Sequence, residues 1–130
     1  MGYETSGVLQ SERKTKDGNI RRWKMLFVEQ ELSSKLPLPF FIEWEEKEEE
    51  RFLGLRKDGT ITPDNEKLAI TECHFSVSVP EEEVAKWATL LSVEISDKNK
   101  IKLPNTMLKF MEKGFRNGNE RLTDVVIEHV

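Results

Sequence analysis

The chain has one cysteine, Cys73, so it cannot close an internal disulfide, and a reducing compartment is the expectation. No apolar run approaches the roughly 20 residues that a bilayer-spanning helix needs. The start, Met1-Gly2-Tyr3-Glu4, has neither the basic flank nor the apolar stretch of a signal peptide. A basic surplus is also lacking. Twenty Lys and Arg stand against 24 Asp and Glu, a net charge of −4, which argues against a general nucleic-acid binder. Histidine is scarce, with only His74 and His129. The expectation is a cytoplasmic protein with no nucleic-acid or membrane partner.

What is present suits one modest domain. The chain has 130 residues, 34% charged and 37% hydrophobic, which leaves enough apolar material for a core beneath a well-solvated surface. Its first half reads as strands. "TSGVLQSERKT" runs into Asp17-Gly18, a strong hairpin signal, and returns as "IRRWKMLFVE". Along the return strand Trp23, Met25 and Phe27 share one face, and Arg22, Lys24, Leu26 and Val28 share the other. After the polar stretch "QELSSKLP", "LPFFIEWE" puts Leu38, Phe40, Ile42 and Trp44 on one face, with Phe41, Glu43 and Glu45 opposite. The run "EEKEEER" reads as a solvated loop or short helix. The stretch 53–68 carries Gly54, Asp58-Gly59 and Pro63-Asp64-Asn65, and reads as a connection.

The second half has a different rhythm. "AITECHFSVSVP" alternates cleanly, with Glu72, His74 and Ser76 opposite Cys73, Phe75 and Val77. Pro80 then opens "PEEEVAKWATLLS", the one convincing helix, with glutamates at its positive end and Val84, Trp87, Ala88 and Leu91 on one face. "KIKLP" and "TMLKFMEK" form a predicted hairpin across Pro104-Asn105, and "ERLTDVVIEHV" a final strand. From Ala69 the order is β-α-β-β-β. An α+β fold of βαβββ-type units follows, with a curved mixed sheet and one main helix. The expected organisation is a three-strand partial unit over 1–52, the connection 53–68 and a complete βαβββ unit over 69–130, together one domain.

That order, opened by a histidine-containing strand, resembles the repeat of the vicinal-oxygen-chelate, or glyoxalase/bleomycin-resistance/dioxygenase, superfamily. "CHFSVSVPEEEVAKWATLL" is similar to its opening strand and helix, and "FFIEW" to its closing strand. More closely, "ERKTKDGNIRRWKMLFVE" followed by "LPFFIEWEE" resembles the glyoxalase-like domain of longer bacterial proteins. In this register the chain corresponds to the C-terminal portion of such an architecture, or to a short member lacking an opening β-α.

The resemblance implies a divalent metal (Fe, Mn, Ni or Zn) held by His and Glu side chains on the concave sheet surface, with open positions for substrate oxygens. It carries onto Glu43 by the closing-strand pattern and His74 by the opening-strand pattern, with the Glu128 carboxylate as a third candidate ligand. Two histidines are few for a full ligand set, so the expectation is that no metal is retained. Arg22 and Lys24, facing away from Trp23, are candidate contacts for an anionic small molecule. Phe41, on the face of Glu43, joins them. Cys73 reads as a small buried residue. The implied function is a glyoxalase-like domain with lyase, isomerase or dioxygenase activity on a small oxygen-rich molecule. The alternatives are a metal-free module that binds or sequesters such a molecule, and a structural fragment. The incomplete first unit leaves apolar strand faces uncovered, and a homodimer is expected.

Overall fold

A computed structural model of the chain describes residues 3–30, 35–112 and 119–130. The polar stretch expected at 30–37 lies partly outside these residues. The fold is α+β, and the chain divides into two compact units. Unit 1 comprises Met1–Glu31 with Leu38–Glu66, and unit 2 comprises Leu32–Pro37 with Lys67–Val130.

In unit 1, β1 (Thr5–Lys14), β2 (Ile20–Val28) and β3 (Phe41–Trp44) form an antiparallel sheet in that order. The β1–β2 turn uses the Asp-Gly signal as expected. Gly18 takes φ 88° and its N–H donates to the Thr15 carbonyl at 3.0 Å, while Thr15 N–H donates to the Asn19 carbonyl at 2.7 Å. That left-handed conformation is cheap only for glycine. Register pairs Trp23 with Trp44, Lys24 with Glu43 and Leu26 with Phe41. The two tryptophans pack with ring centroids 5.5 Å apart, and Phe27 stacks on Phe40 at 5.1 Å.

Helix α1 (Glu48–Lys57) then occupies the charge run and the first part of the stretch expected to be a connection. The remainder of that stretch includes a single 3-10 turn, Asn65–Lys67. The short helix that is one reading of the charge run is formed, it extends into the stretch expected to be a connection, and α2 (Pro80–Leu91) remains the main helix. α1 buries no residue and so shows no apolar stripe. It is helical because Glu48, Glu49 and Glu50 complement its positive end and Arg56 and Lys57 its negative end. The Arg51 guanidinium lies over the rings of Trp44 and Phe52, at 5.0 and 4.8 Å.

Unit 2 holds the core. Its elements are β4 (Leu68–Val77), α2 (Pro80–Leu91), β5 (Lys100–Lys102), β6 (Met107–Glu112) and β7 (Arg121–His129), the β-α-β-β-β order read from the sequence. The sheet order is β5-β6-β4-β7, with β4 parallel to β6 and the other pairs antiparallel. α2 lies over β5 and β6, with Pro80 in its first turn. Val84, Trp87 and Ala88 meet Phe75, Val77, Ile101, Leu108 and Phe110, and Leu36 from the earlier segment fills the same core. Phe75, Trp87 and Phe110 form a ring cluster with centroids 5.0–5.4 Å apart. Cys73 is partly buried at the margin of this core.

The opposite face of the unit 2 sheet carries Glu72, His74 and Ser76 from β4 beside Lys109 from β6. No helix among the described residues is long and apolar enough to cross a membrane.

Candidate functional site

Strand alternation and pairing bring three of the residues expected from the sequence together in unit 1. Lys24 and Glu43 are directly opposite in register, so their side chains leave the same sheet face. Arg22 joins them two residues along β2, and Gln10 and Glu12 join from β1, paired with Lys24 and Arg22. These residues, with Glu45, line an open pocket of about 820 Å³ that Trp23 and Trp44 also border. Phe41 sits opposite Leu26 on the same strand face and does not line the pocket.

The electrostatics of this face are mixed. Arg22 is shared between Glu12 (3.1 Å) and Glu45 (3.9 Å). Both pairs are exposed, and they leave the guanidinium less free to capture a separate anion. Lys24 carries no ion pair among the described residues. Three carboxylates against two cations make the pocket suited to a ligand that both donates and accepts hydrogen bonds. Glu12, Gln10 and Glu45 were not singled out from the sequence; the β1–β2 register places the first two, and simple alternation already put Glu45 beside Glu43.

In unit 2, His74 is held by a carboxylate. Its Nε2 lies 2.8 Å from Glu72 Oε2, and the other Glu72 oxygen accepts from Lys109 Nζ at 2.6 Å. The Lys109 and His74 contacts hold the Glu72 carboxyl below the ordinary carboxylate range. Asp124 is the register partner of His74 on β7. Sequence alternation already put Glu72 and His74 on one face, so Glu72 was findable. Lys109 was not, because it arrives through a parallel pairing that no local pattern encodes.

The same strand places Glu128 far from His74. Glu128 pairs with Ala69, and it lies four residues along β7 from Asp124, or about 13 Å at strand rise. The two metal-ligand candidates of unit 2 therefore do not converge. His129 pairs with Leu68 at the far end of the strand. Glu43 belongs to unit 1. No group of three or more His, Cys, Asp or Glu among the described residues is placed to hold a metal ion.

Comparison with known proteins decides the family. A family model described as "Glyoxalase-like domain" matches residues 2–91, more than half of the chain. The chain belongs to the glyoxalase-like domain family. The matched span includes the Asp-Gly hairpin, the Phe-Ile-Glu-Trp strand and the His74 strand on which the resemblance rested. A crystal structure of a hypothetical protein from Staphylococcus aureus matches this glyoxalase-like domain with a TM-score of 0.76 at 22% identity. The alignment covers 98% of this chain and 49% of that one, so the chain spans about half the length of the solved relative. At that identity the likeness speaks for the fold. No curated protein matches.

Proposed function

We propose that this glyoxalase-like domain binds a small oxygen-rich molecule on the polar face of the unit 1 sheet. The observation that carries the reading is the 820 Å³ pocket, where Lys24 and Glu43 sit side by side with Gln10 and the Arg22 cluster. Its volume falls within the range of small-molecule sites. The alternating donors and acceptors favour a hydroxy or oxo acid, or a polyol, over a simple inorganic anion. Lys24 supplies the positive contact to a carboxylate or carbonyl oxygen, and Glu43 accepts from a hydroxyl. The module works in this reading by binding alone.

A second reading, a lyase, isomerase or dioxygenase acting on the same class of molecule, is favoured by the oriented imidazole of His74. A carboxylate that fixes an imidazole ring prepares it to take or give a proton at its other nitrogen. Ligand titration separates the readings. Hydroxy acids, oxo acids and polyols are added to the protein while tryptophan emission and thermal midpoint are followed. The expected result is a saturable response that Lys24→Ala weakens about tenfold, the loss of one charge-assisted hydrogen bond. Binding without turnover supports the module, and turnover abolished by His74→Gln supports the enzyme. A panel without any saturable response, or one indifferent to Lys24→Ala, refutes the assigned site.

A further inference from the structure

We infer that the ligand of the unit 1 face is a monocarboxylic hydroxy or oxo acid with an aliphatic side chain, its head on Lys24 and Glu43 and its chain over Val8, Leu26 and Phe41. The inference rests on the binding role proposed for that face and narrows it to one substrate class. It comes from the order of the cross-strand rows. Register places Gln10, Lys24 and Glu43 in one row, and Val8, Leu26 and Phe41 in the next row on the same face. On the other side of the polar row Glu12 pairs with Arg22, and Glu45 reaches the same guanidinium. The Glu45 N–H donates to the Arg22 carbonyl at 3.1 Å, which carries the β2–β3 pairing one residue further.

The three rows differ in character. The middle row offers Lys24 and Glu43, both exposed, as a cation beside an acceptor. The apolar row is open at one end, where Val8 is 63% exposed, while Leu26 and Phe41 are half-buried. A hydrocarbon chain that leaves the polar row in this direction exchanges water for apolar contact. A polyol laid the same way gives up water over the row and finds no hydrogen-bond partner there. In the opposite direction two carboxylates flank one guanidinium, and both already reach it. A second ligand carboxylate on that side meets net negative charge, so a dicarboxylic acid is disfavoured.

The spacing sets the size of the ligand. Rows on one strand face are two residues apart, about 6.6–6.8 Å. Carbon–carbon bonds of about 1.5 Å laid in zigzag cross that distance with roughly five or six carbons. A short-chain acid anchored at Lys24 therefore reaches Leu26 and Phe41 only with its last carbons.

A matched series of acids tests the assignment on the full chain. Binding of 2-hydroxypropanoate, 2-hydroxybutanoate and 2-hydroxyhexanoate is followed by tryptophan emission and calorimetry, beside the diacid 2-hydroxypentanedioate. Affinity is expected to rise about two- to fourfold per added methylene, the upper value being that of full burial. The diacid is expected to bind more weakly than 2-hydroxyhexanoate. Val8→Ser, at an exposed position, and Phe41→Ala should each flatten the dependence on chain length. Lys24→Ala should weaken every acid by a common factor and leave that dependence in place, since head and tail contacts are separate. Glu45→Gln should improve the diacid about two- to fivefold relative to 2-hydroxyhexanoate, the scale of an exposed charge pair. Affinity independent of chain length, or a dependence that Val8→Ser and Phe41→Ala both leave intact, overturns the inference, as does a diacid bound as tightly as 2-hydroxyhexanoate. In those cases sensitivity to Lys24→Ala still upholds the binding face. An absence of saturable binding, or binding indifferent to Lys24→Ala, overturns the binding face and this inference with it.

Discussion

Replacing Glu120 should destabilise unit 2 more than its position beside a strand end suggests. Its side chain is 3% exposed, yet it is ionised and acts as a double acceptor. Oε1 takes the Leu36 N–H at 2.9 Å and Oε2 the Ser78 N–H at 2.8 Å, with Lys35 Nζ at 3.8 Å. Hydrogen bonds to a charged group contribute about 1.5–3 kcal/mol each. Glu120→Ala loses two of them but also removes the cost of burying the charge, so the expected loss is about 3 kcal/mol. Glu120→Gln keeps one acceptor oxygen and orphans one buried N–H, a loss of about 2 kcal/mol. Lys35 adds little, because its side chain is largely exposed.

The pH dependence gives a second reading of the same contact. Burial pushes the Glu120 carboxyl up, but the Leu36 and Ser78 backbone donors outweigh it and hold the group below its usual 4.5. A depressed native pKa means that the unfolded chain binds its proton first as pH falls. The stabilisation is therefore fully present above about 4.5 and is lost as pH drops through the lower native value. Asp17, Asp58, Glu72 and Asp97 are also held low, so the wild-type profile alone does not isolate Glu120. The difference between wild type and Glu120→Gln does. Urea unfolding at several pH values should show the gap widest at neutral pH and narrowing as pH falls below the usual carboxylate range. A Glu120→Ala variant no less stable than the exposed control Glu128→Ala, or a gap independent of pH, would refute the reasoning.

Two further outcomes are expected. Phe110→Ala removes the ring that touches both Phe75 and Trp87 in the core, and should cost about 3–5 kcal/mol by urea unfolding, with loss of near-ultraviolet dichroism. Elemental analysis after purification without chelators should find well below one divalent metal per chain, since His74 is bonded to Glu72 and Glu128 lies along the strand from it; a stoichiometric metal would contradict this.

The sequence announced those parts of the fold that are written locally. β4 showed itself by strict alternation, α2 by Pro80 and its apolar stripe, and the first hairpin by Asp17-Gly18. α1 shows in the sequence only as a loop or short helix over the charge run, because it buries nothing and the stripe that reveals most helices is missing. Its acidic first turn and basic last turn were the available signal. β3 begins at Phe41, three residues after the apolar run that suggested it, because Pro37 and Pro39 cannot donate to a ladder. The site divides the same way. Alternation placed Arg22, Lys24 and Glu43 on corresponding faces, whereas Lys109 reached Glu72 through a parallel pairing with α2 and β5 between the strands. The bulges that shift β7 against β4 likewise left no mark in composition.

The buried place of Leu36 bears on how the chain is made. Leu36 follows the first two strands of unit 1 in sequence yet fills the core of unit 2, where its N–H is bonded by a residue 84 positions later. During synthesis that leucine leaves the ribosome long before Glu120 exists. Its N–H finds its acceptor only when Glu120 arrives, although three strands and a helix of unit 1 are already complete. Cutting the chain at the second boundary, near Lys67, therefore would not release a whole unit 2. The released piece would keep its strands but carry a vacant slot where Leu36 belongs, and a buried carboxylate robbed of one of its two backbone donors.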